Sequence, residues 1–337
     1  MKIGILGTGQ LAGMLIAAGN SLGFDISCKD NFEDLDTLDL ITFENENISI
    51  DTAQYIHQRK KLYPSPDALY YSQDRLCEKQ FIQSHQIKTA PFYAVQDLTT
   101  LKEATEVLGF PLLLKTRRFG YDGKGQYRIS TFEEGKKIIE ENASALFIAE
   151  GLVRFSRELS IIAAKNSSET VFYPLVENHH HEGILRISHA PIQDTHFLQT
   201  QAEKIAETLL NALDYRGVLS IELFDTHEGL IVNEIAPRVH NSGHWTIEGS
   251  HTSQFENHLR AIADLPLGNT QAKGYSIMIN IIGTFPPLSD LLSIPFCHVH
   301  DYQKTPRPCR KLGHITLNHE DPELLETLLR GIPYATF

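Results

Sequence analysis

Short apolar runs separated by glycine and polar residues open the chain. Lys2–Leu6 reads as a buried strand, Gly7 and Gly9 as a turn, Leu11–Leu22 as a helix, and Phe24–Cys28 and Asp39–Thr42 as two further strands. Only about ten polar residues separate the second strand from the third, too few for a full crossover helix, so this βαβ beginning is short. Asp51–Lys60 has helical spacing, and Pro64 and Pro66 mark a boundary before a helix over Ser72–Ser84.

Strand and helix signals then alternate. Phe92–Ala94, a helix near Thr99–Leu108, Leu112–Lys115, a polar glycine-rich loop, Gln126–Ile129, helix Phe132–Glu141 and Leu146–Glu150 make a small α+β unit. Antiparallel strands follow at Glu158–Ala164, Val171–Leu175 and Ile184–His189, then helix Thr200–Leu213 and a hairpin of Val218–Asp225 with Leu230–Ile235. After helix Ser253–Ala263 the tail shows strands near Tyr275–Ile281, Cys297–Tyr302 and His314–Leu317. The class is therefore α/β and α+β, without internal repeats.

Composition narrows the function. With 337 residues there is room for two or three domains. Thirty Lys and Arg against 42 Asp and Glu leave a net charge of −12, so no overall basic footprint for nucleic acid exists and any anionic ligand must be held by local cations. No apolar run approaches the roughly 18 residues of a membrane-spanning helix. The amino terminus reaches glycine too soon for a signal peptide, which points to a cytoplasmic protein. Four scattered cysteines form no CxxC pair, and the consecutive His179, His180 and His181 read as a solvated loop, because adjacent side chains diverge.

Three segments carry candidate chemistry. Gly7-Thr8-Gly9-Gln10-Leu11-Ala12 fits G-x-G-x-x-A between a strand and a helix, and Asp30 stands where a ribose-binding acid would sit, so a dinucleotide, another anion or a purely structural turn are all open. The second is Lys115–Gln126, with Gly120, Gly123 and Gly125 among four cations: a loop suited to closing over polyphosphate, though not a Walker P-loop. The third is the hairpin, whose Glu222 and Glu234 lie on opposite arms. A symmetric register pairs Glu222 with Asn233, whereas a one-residue bulge sets Glu222 opposite Glu234. Either way two carboxylates converge, as oxygen ligands of Mg²⁺ do. The run Ala236–Trp245 follows, offering Arg238, His240 and Asn241 to a small oxyanion.

Together, Gly9-Gln10-Leu11, Lys115 with Gly120–Gln126, Asn233–Trp245 and Arg310-Lys311-Leu312-Gly313-His314 resemble the ATP-grasp superfamily and, within it, the 5-(carboxyamino)imidazole ribonucleotide synthase family. The resemblance spans nearly the whole chain. It implies an ATP-grasp fold with a Rossmann-like N-terminal domain over 1–71, an ATP-grasp domain over 72–265 with its central lobe at about 86–150, and a small β-rich domain over 266–337. It implies ATP contacts from Arg75, Lys115, Gly120, Tyr121, Asp122, Gly123, Lys124, Gly125, Gln126, Glu150, Gly151, Leu152, Val153, Glu158, His180, Asn233 and Glu234, with Mg²⁺ on Glu222 and Glu234. Arg238, His240, Asn241 and Lys115 would be catalytic, and Tyr121, Asp122, Lys304, Arg310 and Lys311 would bind 5-aminoimidazole ribonucleotide.

The implied reaction is ATP- and bicarbonate-dependent carboxylation of that ribonucleotide through carboxyphosphate, in de novo purine biosynthesis, by a homodimer. His240 or Asp122 would handle the proton. The alternatives are another ATP-grasp carboxylate-amine ligase, such as a formate-dependent glycinamide ribonucleotide transformylase, or a nicotinamide-dependent oxidoreductase resting on the first glycine loop alone. Two departures from the family pattern stand out: the stretch Lys29–Leu38 is abbreviated, and Cys309 stands where glycine is usual.

Overall fold

The computed structural model describes residues 1–31, 35–59, 61–120, 123–193 and 196–333. Its first layer is a parallel sheet of β1 (Lys2–Leu6), β2 (Asp25–Lys29), β3 (Leu40–Phe43) and β4 (Lys61–Leu62) in the order β2-β1-β3-β4, with helices α1 (Gln10–Ser21) and α2 (Ile50–Arg59). β1 and β3 read as continuous apolar runs because both faces are covered, and Ile3, Ile5, Ile41 and Phe43 are fully buried. Among the described residues of the abbreviated stretch, the only helical turn is Leu35–Thr37.

The helix expected over Ser72–Ser84 is α4 (Arg75–Ser84), and a separate short helix, α3 (Pro66–Ser72), precedes it. Asp74 sets the later start: its carboxylate accepts from Leu76 N at 3.0 Å as an N-cap and takes a bidentate bond from Arg117, Nε at 2.9 Å and Nη2 at 2.7 Å. That bond ties α4 to the next unit. There, β5 (Phe92–Val95), β6 (Leu112–Thr116), β7 (Gln126–Ile129) and β8 (Phe147–Gly151) form an antiparallel sheet in the order β5-β8-β6-β7, covered by α5 (Leu98–Leu108) and α6 (Phe132–Glu141).

The rest of the chain builds one nine-stranded antiparallel sheet. Its strands are β9 (Arg157–Lys165), β10 (Thr170–Phe172), β11 (Val176–His181), β12 (Ile184–Ala190), β13 (Gly217–Thr226), β14 (Gly229–Ala236), β15 (Tyr275–Ile282), β16 (Cys297–Asp301) and β17 (Lys311–His319). The order is β14-β13-β9-β11-β12-β15-β17-β16, with β10 added to β9, so the sheet runs unbroken from the carboxylate hairpin into the tail. Helices α7 (His196–Ala212), α8 (Thr246–Gly249), α9 (Gln254–Ile262), α10 (Leu288–Leu292) and α11 (Pro322–Arg330) accompany it. The triple histidine is not a solvated loop. It lies on β11 and pairs with β12, beyond Asn178 where the register with β9 ends, and a bulge between His179 and His180 breaks the alternation of their side chains. Among the described residues, no helix is long and apolar enough to cross a membrane.

One histidine locks the first sheet onto the large one. His258 on α9 is fully buried, accepts at Nδ1 from Val218 N (3.1 Å) and stands 2.8 Å through Nε2 from Thr42 Oγ1 of β3. Burial pushes its pKa down to about 3. Neutral when folded and protonated when unfolded, it contributes stability that is fully present above pH 6.5 and disappears as pH falls through about 3. Urea unfolding across that window should therefore show wild type losing roughly 4 kcal/mol more than a His258→Gln variant.

Candidate active site

The ends of β6, β8, β14 and α4 and the segment after β14 face one cleft. Gly123 and Gly125 have φ of +76° and +70°, values that side chains with a Cβ rarely adopt, and a Cβ on Gly123 would stand 2.8 Å from the Glu182 carbonyl oxygen. The described part of the glycine loop thus leans on the β11–β12 turn at Gly123. Tyr121 and Asp122 lie outside the described residues, and Lys124 and Gln126 follow them toward β7.

Beneath the loop, α4 presents Arg75, Glu78 and Lys79, whose i, i+3, i+4 spacing puts them on one face. Arg75 Nη1 donates to Glu234 Oε2 at 2.9 Å and Nη2 to the Gly120 carbonyl at 3.3 Å, joining hairpin and loop. Lys79 Nζ donates to the Asn233 carbonyl at 3.0 Å and stands 3.4 Å from Glu150, while Glu78 accepts from Ile235 N at 2.7 Å. Burial, then the charge of Glu234, pushes Glu78 up to about 8. Glu150, at the end of β8, is 2% exposed and bonded to Lys115 Nζ at 2.8 Å. Burial works against its charge, but Lys79 and Lys115 outweigh burial and hold its pKa below the usual carboxylate range. Gly151 continues the strand, with its N–H on the Pro91 carbonyl at 2.9 Å, and Leu152 and Val153 lead across to β9.

The hairpin adopts the bulged register: Glu222 lies opposite Glu234, with the shift between Glu222 and Leu223. The two carboxyls behave differently. Burial followed by the charge of Glu234 raises Glu222 to about 7, whereas Arg75 overcomes burial and holds Glu234 at about 2. Asn233 Nδ2 donates to Glu222 Oε2 at 3.3 Å. Among the described residues no three His, Cys, Asp or Glu side chains could enclose a metal. Two hard carboxylates open to the cleft, one of them only partly ionised near neutrality for want of a cation, fit Mg²⁺ that takes its other ligands from phosphates and water.

Glu158 on β9 stands 2.9 Å from His180 Nδ1. Burial opposes the imidazolium, but Glu158 and Glu222 prevail and raise the pKa of His180. Arg238 stands 2.8 Å from Glu46 Oε1, and His240 Nε2 is 3.6 Å from Glu222 Oε1. Burial, then Arg238, depresses His240 to about 3. Asn241 points elsewhere: its amide exchanges bonds of 3.0 and 2.7 Å with Asn280 on β15.

The tail reaches the same cleft. Lys311 is close enough to act electrostatically on both His180 and His240. Lys304 bonds Gln10 of the first glycine loop, and burial followed by the charge of Arg310 lowers its pKa, with Lys311 and Arg307 adding to this and Glu44 opposing. Arg310 is turned to the Thr305 carbonyl at 3.1 Å. Cys309 has φ +59°, so the backbone there does favour the glycine of the family pattern.

The first glycine loop holds no room for a dinucleotide. Its helix N-terminus is capped by the protein's own Glu44, which accepts from Gly9 N and, at 2.9 Å, from Ala12 N. Among the described residues Asp30 meets only Thr8, at 3.5 Å. Sequence reasoning also missed Glu46, Glu78, Lys79 and Arg307; of these only Glu78 and Lys79 left a signal, their shared helix face with Arg75.

Known proteins share the fold. The ATP-grasp domain family matches residues 80–255, and the phosphoribosylaminoimidazole carboxylase C-terminal domain family matches 276–327. The N5-carboxyaminoimidazole ribonucleotide synthase of Pseudomonas aeruginosa is 41% identical, with 98% of each chain covered. The crystal structure of the N5-carboxyaminoimidazole ribonucleotide synthetase of Thermus thermophilus superposes with a TM-score of 0.91 at 44% identity, covering 97% of this chain and 96% of that one. The Aspergillus clavatus enzyme in complex with ADP and 5-aminoimidazole ribonucleotide gives 0.90 at 30% identity, covering 98% and 96%. The chain belongs to the N5-carboxyaminoimidazole ribonucleotide synthase family, ATP-grasp ligases that carboxylate 5-aminoimidazole ribonucleotide in purine biosynthesis.

Proposed function

We propose that this chain performs the family's carboxylation in the cytoplasm as a homodimer, with bicarbonate as carbon source and Mg²⁺·ATP as the energy source. The observation that carries the reading is the convergence of Glu222, Glu234, Arg75 and His240 under the glycine loop. ATP lies between the central lobe and the large sheet, contacted by Arg75, Lys115, Gly120–Gln126, Glu150–Val153, Glu158, His180, Asn233 and Glu234. The proposed domain limits are 71 and 265, the large sheet crossing the second of them through the pairing of β12 with β15.

Mg²⁺ on Glu222 and Glu234 would neutralise the phosphates as their charge develops. Arg75 and Lys115 hold the β- and γ-phosphates, and Arg238 holds bicarbonate. A bicarbonate oxygen attacks the γ-phosphorus as the bond to the ADP oxygen breaks, yielding carboxyphosphate and ADP. Its C–O bond then cleaves to carbon dioxide and phosphate in a cleft the loop shields from water. The amine of 5-aminoimidazole ribonucleotide attacks the carbon dioxide carbon and loses a proton.

Lys304, Arg310 and Lys311 are the cations we assign to the ribonucleotide phosphate, and Tyr121 and Asp122 are assigned to the same substrate. A Lys311→Ala variant should raise KM for the ribonucleotide about 10-fold to 100-fold, the loss of one charge-assisted contact, and leave KM for ATP unchanged. The converse pattern in initial-rate kinetics would remove the tail assignment. The function itself is tested by following ADP release while ATP, Mg²⁺, bicarbonate and the ribonucleotide are omitted in turn. All four should be required, and ADP formation indifferent to bicarbonate would overturn the proposal.

A further inference from the structure

Behind His240 runs a line of small polar side chains that none of the roles above uses. Ser188 on β12, Asn178 on β11, Ser160 on β9 and Ser242 after β14 are each 5% exposed or less, beside the buried Leu159, Ile161 and Ile162 of β9, Val176 of β11 and Ile184, Leu185 and Ile187 of β12. Buried hydroxyls and amides in such surroundings cost stability unless they bond one another. Here they do. Ser188 Oγ donates to Asn178 Oδ1 at 2.8 Å, Asn178 Nδ2 to Ser160 Oγ at 2.9 Å, and Ser160 Oγ to Ser242 Oγ at 2.8 Å. Ser242 Oγ stands 2.9 Å from His240 Nδ1.

The direction of this chain is set at both ends of its last link. Ser160 gives its proton to Ser242, so the Ser242 hydroxyl is left to donate onward, to His240 Nδ1. Independently, the backbone N–H of Ser242, which can only donate, points at the same Nδ1 from 3.3 Å. Two donors aimed at one ring nitrogen require a lone pair there. The imidazole proton must then sit on Nε2, the nitrogen that faces the cleft beside Glu222.

We propose that the Ser188–Asn178–Ser160–Ser242 chain is a positioning device that locks His240 as the Nε2–H tautomer, making it a hydrogen-bond donor to the reacting anion and not the proton acceptor. This rests on the reading of the cleft as the bicarbonate site. The chain removes His240 as a candidate for the proton: it presents N–H where a base would need a lone pair. The proton lost by the substrate amine goes elsewhere, and the phosphate dianion released from carboxyphosphate in the same cleft is a base of suitable strength. The four polar residues act through His240 and touch no substrate.

The test is ¹⁵N NMR of the histidine-labelled full chain at neutral pH, with the His240 signals assigned by difference from a His240→Gln variant. Pyridine-like Nδ1 and pyrrole-like Nε2 are expected. A protonated Nδ1, in either the other neutral tautomer or the imidazolium, overturns the proposal. In Ser160→Ala, two bonds removed from the ring, the Nδ1–H tautomer should become visible and kcat should fall about 10-fold to 100-fold with KM for ATP unchanged, as for other residues that orient a functional group from behind. A Ser160→Ala enzyme with unchanged tautomer and unchanged kcat removes the chain from any positioning role. Ser188→Ala, at the far end, provides the same readouts if Ser160→Ala does not fold. The spectrum needs no turnover, so it stands apart from the bicarbonate requirement. Failure of that requirement with the tautomer intact would remove the anion, not the lock.

Discussion

Glu234→Gln should reduce ADP formation by at least about 10²-fold to 10³-fold while leaving the protein folded. Glutamine has nearly the same volume, and its amide oxygen can still accept from Arg75, so the 2.9 Å contact that joins α4 to β14 survives in neutral form. What vanishes is a negative charge. The arginine holds Glu234 ionised down to about pH 2, so at any working pH it is a full anionic oxygen ligand, opposite a Glu222 that is only partly ionised near neutrality. Removing that charge takes away the stronger of the two proposed Mg²⁺ ligands and leaves Arg75 without an ionic partner. Thermal melting beside single-turnover ADP formation checks both halves. Full activity with Mg²⁺ in a folded variant would remove the metal role.

Lys115→Met should lower stability by about 3 kcal/mol and abolish turnover. Methionine fills much of the space, so the penalty is electrostatic: Glu150 is nearly inaccessible to water and would keep only Lys79, at 3.4 Å in place of the 2.8 Å contact. Breaking one side of a buried pair strands the other charge. The same ammonium is proposed to meet the ATP phosphates, so ATP titration of the variant should show weakened binding even where urea unfolding shows it folded. If stability falls but ADP formation at saturating ATP equals that of wild type, Lys115 serves the fold alone.

Local chemistry was legible wherever a residue type was out of place for its element. Glu222 and Glu234 stand in apolar strand runs, and three glycines among four cations mark the glycine loop, so both could be read directly. Their register could not, because a single bulge decides whether Glu222 meets Asn233 or Glu234. The histidine run does not read as a strand because three consecutive polar residues with a bulge between His179 and His180 leave no alternating pattern. Asp74 set the start of α4 through a side-chain cap that composition does not reveal.

Long-range contacts were the least visible. Asp30 stands at the spacing of a dinucleotide acid, yet the carboxylate on the helix is Glu44, placed there by β3. Likewise Ser160, Asn178, Ser188 and Ser242 are unremarkable in sequence. Only the pairing of β9, β11 and β12 aligns three of them, and the turn after β14 brings Ser242 to the end of the line.

The central claim is that bicarbonate attacks ATP to form carboxyphosphate. Bicarbonate labelled with ¹⁸O, supplied with ATP, Mg²⁺ and 5-aminoimidazole ribonucleotide, tests it through mass analysis of the phosphate released. The mechanism requires one bicarbonate oxygen to leave with each phosphate, so the label should appear in phosphate in step with N5-carboxyaminoimidazole ribonucleotide. Unlabelled phosphate formed at the same rate as product would contradict it.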